Sequence, residues 1–279
     1  RAYLDWLSRR ANELPLLAAD SGRPVQLASV YTALLTRHAR DETPGGRGQA
    51  SARLAARGEG EQHAAPRQSA LEALDDERLL VLMGGPGSGK TTFLNFVALC
   101  MAGELLGQQP TDLRLLRQPL PVDDGEEARA SSANRKEKAP EPQRWRHRAL
   151  LPVRVLLRDF AASLPPPGVR VADGALWTFI VGQLPAPLAR YADELQRELL
   201  ADGGLILLDG LDEVPDALQR REQVKRAVQD FAALHSRCRF LVTSRTYAYQ
   251  RQDWKLDGFA ERELLPFTRG QIERFIDSW

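Results

Sequence analysis

Apolar residues along the chain fall into short runs and stripes, and the spacing within each predicts an element. Leu79–Met83 is a five-residue apolar run ending in glycines, the form of a strand buried on both faces. Residues 91–106 are apolar almost all round and predict a buried helix. Leu151–Arg158, Leu205–Leu208, Arg239–Thr243 and Glu263–Phe267 predict four more strands. Between them Leu188, Tyr191, Leu195 and Leu199 recur at helical spacing, as do Val224, Ala227, Val228, Phe231 and Leu234. Thr268 and Gln271 have the form of a capping box, opening a helix with Ile272, Phe275, Ile276 and Trp279 on one side. Strands alternating with helices predict an α/β layer fold with a parallel sheet.

The first 40 residues predict a helical lead-in. Tyr3, Leu4, Trp6, Leu7 and Leu14 fit one face, and Val30, Leu34 and Leu35 another, with breaks at Pro15 and Asp20–Pro24. Val30, Tyr31 and Thr32 are expected to pack rather than to bind. Residues 41–68 hold Leu54 as their one large aliphatic and predict a flexible linker. Residues 118–148 turn polar and Pro-rich and predict a loop insertion. The folded domain is thus expected over 69–267. Residues 268–279 are read as the start of a truncated helical domain, and the chain as a segment of a longer protein.

Composition narrows the function classes. The 279 residues are 43% apolar and 27% charged, which suits a globular chain. Net charge is +1, so nothing drives the chain globally toward nucleic acid or an anionic membrane. The basic residues are 33 arginines and five lysines, and the arginines are scattered among acids. No apolar stretch approaches the roughly 18–20 residues of a membrane span. Cys100 and Cys238 lie in apolar runs and predict buried thiols in a reducing, cytoplasmic compartment. Two cysteines and four scattered histidines do not form a zinc pattern.

Three motifs carry chemistry. Gly84-Gly85-Pro86-Gly87-Ser88-Gly89-Lys90-Thr91 matches G-x-x-x-x-G-K-[ST], directly after a predicted strand and before a predicted helix, with Thr92 following. Glycines let backbone N–H groups turn toward phosphate oxygens, and the helix N-terminus favours the same anion. Lys90 supplies a point charge for the β- and γ-phosphates, and Thr91 a hydroxyl for Mg²⁺. Pro86 lacks an N–H and shapes the loop without donating.

The second motif, Leu205–Glu213, delivers Asp209 at the C-terminal end of a strand, where parallel sheets bind ligands. Asp209 is placed to hold Mg²⁺. Asp212 and Glu213 follow, and either can orient an attacking water. In the third motif, Phe240–Arg245, a strand delivers Arg245 where it can stabilise charge on a γ-phosphate.

Together Gly84–Thr92, Leu205–Glu213 and Leu241–Arg245 resemble the NACHT family of signal-transducing P-loop ATPases. The Asp209, small residue, aliphatic, Asp212-Glu213 sequence is similar to the NACHT form of the Walker B element. LPVRVLLRDF at 151–160, ELLPFTRGQIERFI at 263–276 and the YLDWL, LPLLAAD and VYTALL segments look like the matching parts of bacterial members. The resemblance implies a P-loop NTPase with a five-stranded parallel sheet of order 5-1-4-3-2. It implies ATP or ADP with Mg²⁺ as ligands, an ADP-bound resting state, and an ATP-bound state that forms homo-oligomers. It makes Lys90 and Thr91 the Walker A pair, Asp209 the Mg²⁺ carboxylate, Glu213 with Asp212 the hydrolytic acids, and Arg245 the first sensor. Effector and sensor domains are expected in flanking sequence. The alternative is a constitutive P-loop NTPase or small-molecule kinase. A GTPase would carry N-K-x-D, which the sequence lacks, though no residue identifies the base by itself.

Overall fold

The computed structural model describes residues 1–17, 24–39, 68–121, 141–166, 169, 171–215, 220–250 and 255–278. Nearly all of the expected linker at 41–68, and 122–140 of the expected polar loop, lie outside these.

Strands are numbered along the chain. A helix at Ala2–Asn12 leads into a two-stranded antiparallel pair, β1 (Glu13–Leu17) and β2 (Pro24–Gln26). After a short helix at Leu27–Val30 come β3 (Leu35–His38) and β4 (Gln68–Ser69). The central strands are β5 (Leu79–Gly84), β6 (Leu151–Leu156), β7 (Gly204–Asp209), β8 (Arg239–Arg245) and β9 (Ala260–Leu264).

The sheet has seven strands in the order β4-β3-β9-β5-β8-β7-β6. This corrects the expectation of a wholly parallel, five-stranded sheet of order 5-1-4-3-2. The five parallel strands run β9-β5-β8-β7-β6, and β3 and β4 extend the β9 side as antiparallel strands. The extension pairs Thr36 with Leu264, Arg37 with Glu263 and His38 with Arg262. It also corrects the all-helical lead-in: β1 and β2 follow its first helix, and Leu35–His38 is a strand of the main sheet. The physical reason is that the β9 edge offers unpaired backbone groups, and pairing there outweighs a weak helical pattern.

The central strands are continuous aliphatic runs because both their faces are covered. Val81 and Met83 of β5, Ile206 and Leu208 of β7, and Phe240 and Val242 of β8 pack on one side, with Phe160, Ile180, Leu199, Val224 and Val228. Leu80, Leu82, Leu205, Leu207 and Leu241 pack on the other, against the Lys90–Leu106 helix and Leu71 and Leu74. That alternation is the period-two pattern of a strand between two layers.

Residues 143–148 of the expected polar loop are fixed in place. Trp145 and Gln143 are buried, and Arg144 and Arg146 form ion pairs with the fully buried carboxylate of Asp75. Asp75 belongs to the Ala70–Asp76 helix, which opens on a reciprocal Ser69–Glu72 capping box. The predicted box at Thr268 and Gln271 also forms, and opens the Arg269–Ser278 helix. Of that helix's apolar residues, Ile272, Phe275 and Ile276 are exposed. Among the described residues no helix is long and apolar enough to cross a membrane. Cys100 and Cys238 are buried and unpaired, and burial raises both thiol pKa values, that of Cys238 to about 11.

Candidate functional site

The site lies at the C-terminal ends of β5, β7 and β8. Gly84 ends β5, the glycine loop follows, and the helix begins at Lys90. Gly89 caps that helix in the left-handed region, φ 88°, a conformation that any side chain would strain. Gly85, Pro86 and Gly87 are exposed, so the loop's outer side is open to a ligand. Lys90 Nζ folds back into the loop and donates to Gly84 O and Gly85 O, both at 2.8 Å, and to Ser88 Oγ at 3.2 Å. The ammonium is therefore held by weak neutral acceptors that an anion can replace. Burial pulls its pKa below the ordinary lysine value; Asp212 and Asp209 oppose the shift and Arg245 adds to it.

Asp209 is the hub. Its Oδ1 accepts from Thr91 Oγ1 at 3.1 Å and from Thr243 Oγ1 at 2.6 Å. Thr243 in turn accepts the Gly210 N–H at 2.9 Å. Asp209 Oδ2 faces Arg154 Nη2 of β6 at 3.5 Å. The Thr91 hydroxyl and the Asp209 carboxylate form an all-oxygen set, the donor chemistry that Mg²⁺ takes.

The remaining acids sit beside this hub. Asp212 and Glu213 lie in a single 3₁₀ turn, Leu211–Glu213. Asp212 accepts the Arg245 backbone N–H at 3.0 Å and pairs with Arg245 Nε, also at 3.0 Å. Glu213 pairs with Arg158 at 3.4 Å, with both side chains well exposed. Thr92 is half-buried in the first turn of the helix. All the predicted site residues therefore fall on one end of the sheet, but Arg245 is engaged by Asp212 and Glu213 by Arg158.

The sequence by itself names no role for Arg154, Arg158 or Thr243. The signal for Arg154 was present, since an arginine interrupts the aliphatics of β6. Its partner lies 55 positions away, so the sequence names no pairing.

A cleft of about 610 Å³ opens on the other side of the loop, lined by Gly85–Ser88 with Arg37, Glu263, Leu265 and Phe267. Tyr31 stacks on Phe96 with ring centroids 3.6 Å apart, which is a packing role.

A protein-family model described as NACHT domain matches residues 78–279. A search of curated proteins gave no match.

Proposed function

The chain belongs to the NACHT family of P-loop NTPase domains, and from that premise we propose that it binds ATP and hydrolyses it slowly as a signalling switch. The observation that carries this reading is the junction of Lys90, Thr91 and Asp209 at one sheet end, with Asp212, Glu213 and Arg245 beside it.

In this reading the loop N–H groups and the start of the Lys90 helix bind the phosphates. Lys90 exchanges the Gly84 and Gly85 carbonyls for phosphate oxygens, trading neutral acceptors for charged ones. Thr91 and Asp209 hold Mg²⁺, which when bound neutralises charge on the phosphates. Glu213 or Asp212 orients the attacking water. Arg245 leaves Asp212 for the γ-phosphate, which makes it the group that registers hydrolysis. The cleft beside Phe267 takes the base.

The ADP state is the resting one and the ATP state assembles homo-oligomers. A near-complete flip between two states needs roughly 5.5 kcal/mol of differential affinity, which contacts to a single γ-phosphate are the means to supply. The output is signalling, in a bacterial defence or regulatory receptor of the cytoplasm whose sensor and effector parts flank this domain.

The test is to purify the protein without added nucleotide, denature it and identify what is released. Stoichiometric ADP, lost in Lys90→Ala, is the expected result. An empty site with rapid ATP turnover would instead make the protein a constitutive NTPase and remove the switch.

A further inference from the structure

Strand β6 carries a charge where its neighbours carry aliphatics. Arg154 sits between Val153 and Val155 and pairs in register with Leu207 of β7. Its side chain is 13% exposed, and its Nε is buried without a hydrogen-bond partner. Arg10 and Arg158 lie close enough to act on it with the same sign of charge. A guanidinium taken out of water and short of one bond is costly. Its one ion-pair partner among the described residues is Asp209.

The two oxygens of Asp209 are thus divided. Oδ1 receives the hydroxyls of Thr91 and Thr243, and Oδ2 faces the guanidinium. Each carboxylate oxygen therefore has a partner within the chain, and its charge faces a cation.

We propose that Arg154 is a resident counter-cation for Asp209, neutralising that carboxylate in the metal-free site and so setting the Mg²⁺ concentration at which the site takes up nucleotide. The inference rests on reading Asp209 as the metal carboxylate. Its physical basis is that a fixed positive charge at this distance offsets the attraction of the carboxylate for a cation and repels that cation directly. Arg154 acts through Asp209 and is a positioning residue.

The experiment measures binding of a fluorescent, non-hydrolysable ATP analogue against Mg²⁺ concentration, alongside thermal melting with Mg²⁺ alone. Arg154→Met and Arg154→Gln are expected to reach half-saturation at about tenfold lower Mg²⁺ than the natural chain, while Arg154→Lys, which keeps the charge, stays within about twofold. Mg²⁺ alone is expected to raise the melting temperature of the two neutral variants more than that of the natural chain. Equal Mg²⁺ requirements in Arg154→Met, Arg154→Gln and the natural chain would overturn the inference. Should a neutral variant melt early, its rescue by Mg²⁺ supports the inference and failure of rescue overturns it. Asp209→Asn separates the two levels: if it leaves the Mg²⁺ requirement unchanged, the metal reading of Asp209 falls and takes this inference with it. If Asp209→Asn raises the Mg²⁺ requirement while the neutral Arg154 variants leave it unchanged, the Arg154 inference alone falls.

Discussion

Thr243 Oγ1 donates to Asp209 Oδ1 at 2.6 Å and accepts the Gly210 N–H at 2.9 Å, so one hydroxyl ties the end of β7 to β8. Both bonds are buried. Thr243→Val keeps the shape and removes both, leaving a buried N–H without a partner. The expected cost is about 1–3 kcal/mol, read from the urea midpoint, with Thr243→Ser close to the natural chain.

Glu213→Gln should lower ATP turnover by about a hundredfold or more while leaving analogue affinity within a factor of about two. The Arg158–Glu213 pair is exposed on both sides, so its loss should cost at most about 1 kcal/mol of stability. Steady-state turnover and equilibrium binding on the same preparation check this. If turnover survives, the water-orienting role passes to Asp212, and Asp212→Asn becomes the deciding variant.

Gly103→Ala sets two effects against each other. Alanine gains about 1 kcal/mol of helix propensity. The added Cβ would stand 1.6 Å from the backbone oxygen of Thr111, which must then move. Thr111 precedes Asp112, the residue whose carboxylate caps the Leu113–Leu116 helix, so the strain spreads. Overpacking of this kind costs about 1–3 kcal/mol, and the net effect should be a lower melting temperature.

His235 is 1% exposed, with Nδ1 donating to Phe231 O and Nε2 buried without a partner. Burial pulls its pKa below the ordinary value near 6.5, and the bond to Phe231 O opposes this. As pH falls through that ordinary value, the unfolded chain takes up a proton that the folded one refuses. Stability is therefore lost on acidification until the folded-state pKa is passed. His235→Leu should remove this part of the loss. The check is the urea midpoint at about pH 7.5 and about pH 5, where the variant should show the smaller drop.

The glycine loop was legible because its chemistry is contiguous. Strand, loop, Lys90 and helix follow one another, and each residue type is dictated locally. Asp209 was legible for a similar reason, since four aliphatics announce the strand that delivers it. The β3 strand was not, because four residues are too few to show a period, and Leu34 and Leu35 matched a helix equally well. Its identity is set by the β9 edge, some 226 positions away. The last strand was expected at Glu263–Phe267 and lies at Ala260–Leu264. Its polar residues hid it: Arg262 is buried yet pairs with Glu77, and Glu263 pairs with Arg37 across the ladder. Arg154 interrupts the aliphatics of β6, but nothing in the sequence names its partner.

The strand that ends in the glycine loop pairs with β8 and β9, whose residues lie about 160 and 180 positions further along the chain. During synthesis β5 therefore leaves the ribosome long before either neighbour exists. At roughly 5–20 residues per second, its aliphatic edge waits on the order of ten seconds or more for the first of them. The ordering places the glycine loop among the last parts of the domain to gain its final support. A nascent chain stalled before residue 239 would present Leu79–Met83 unpaired, and that interval is when a chaperone has most to hold.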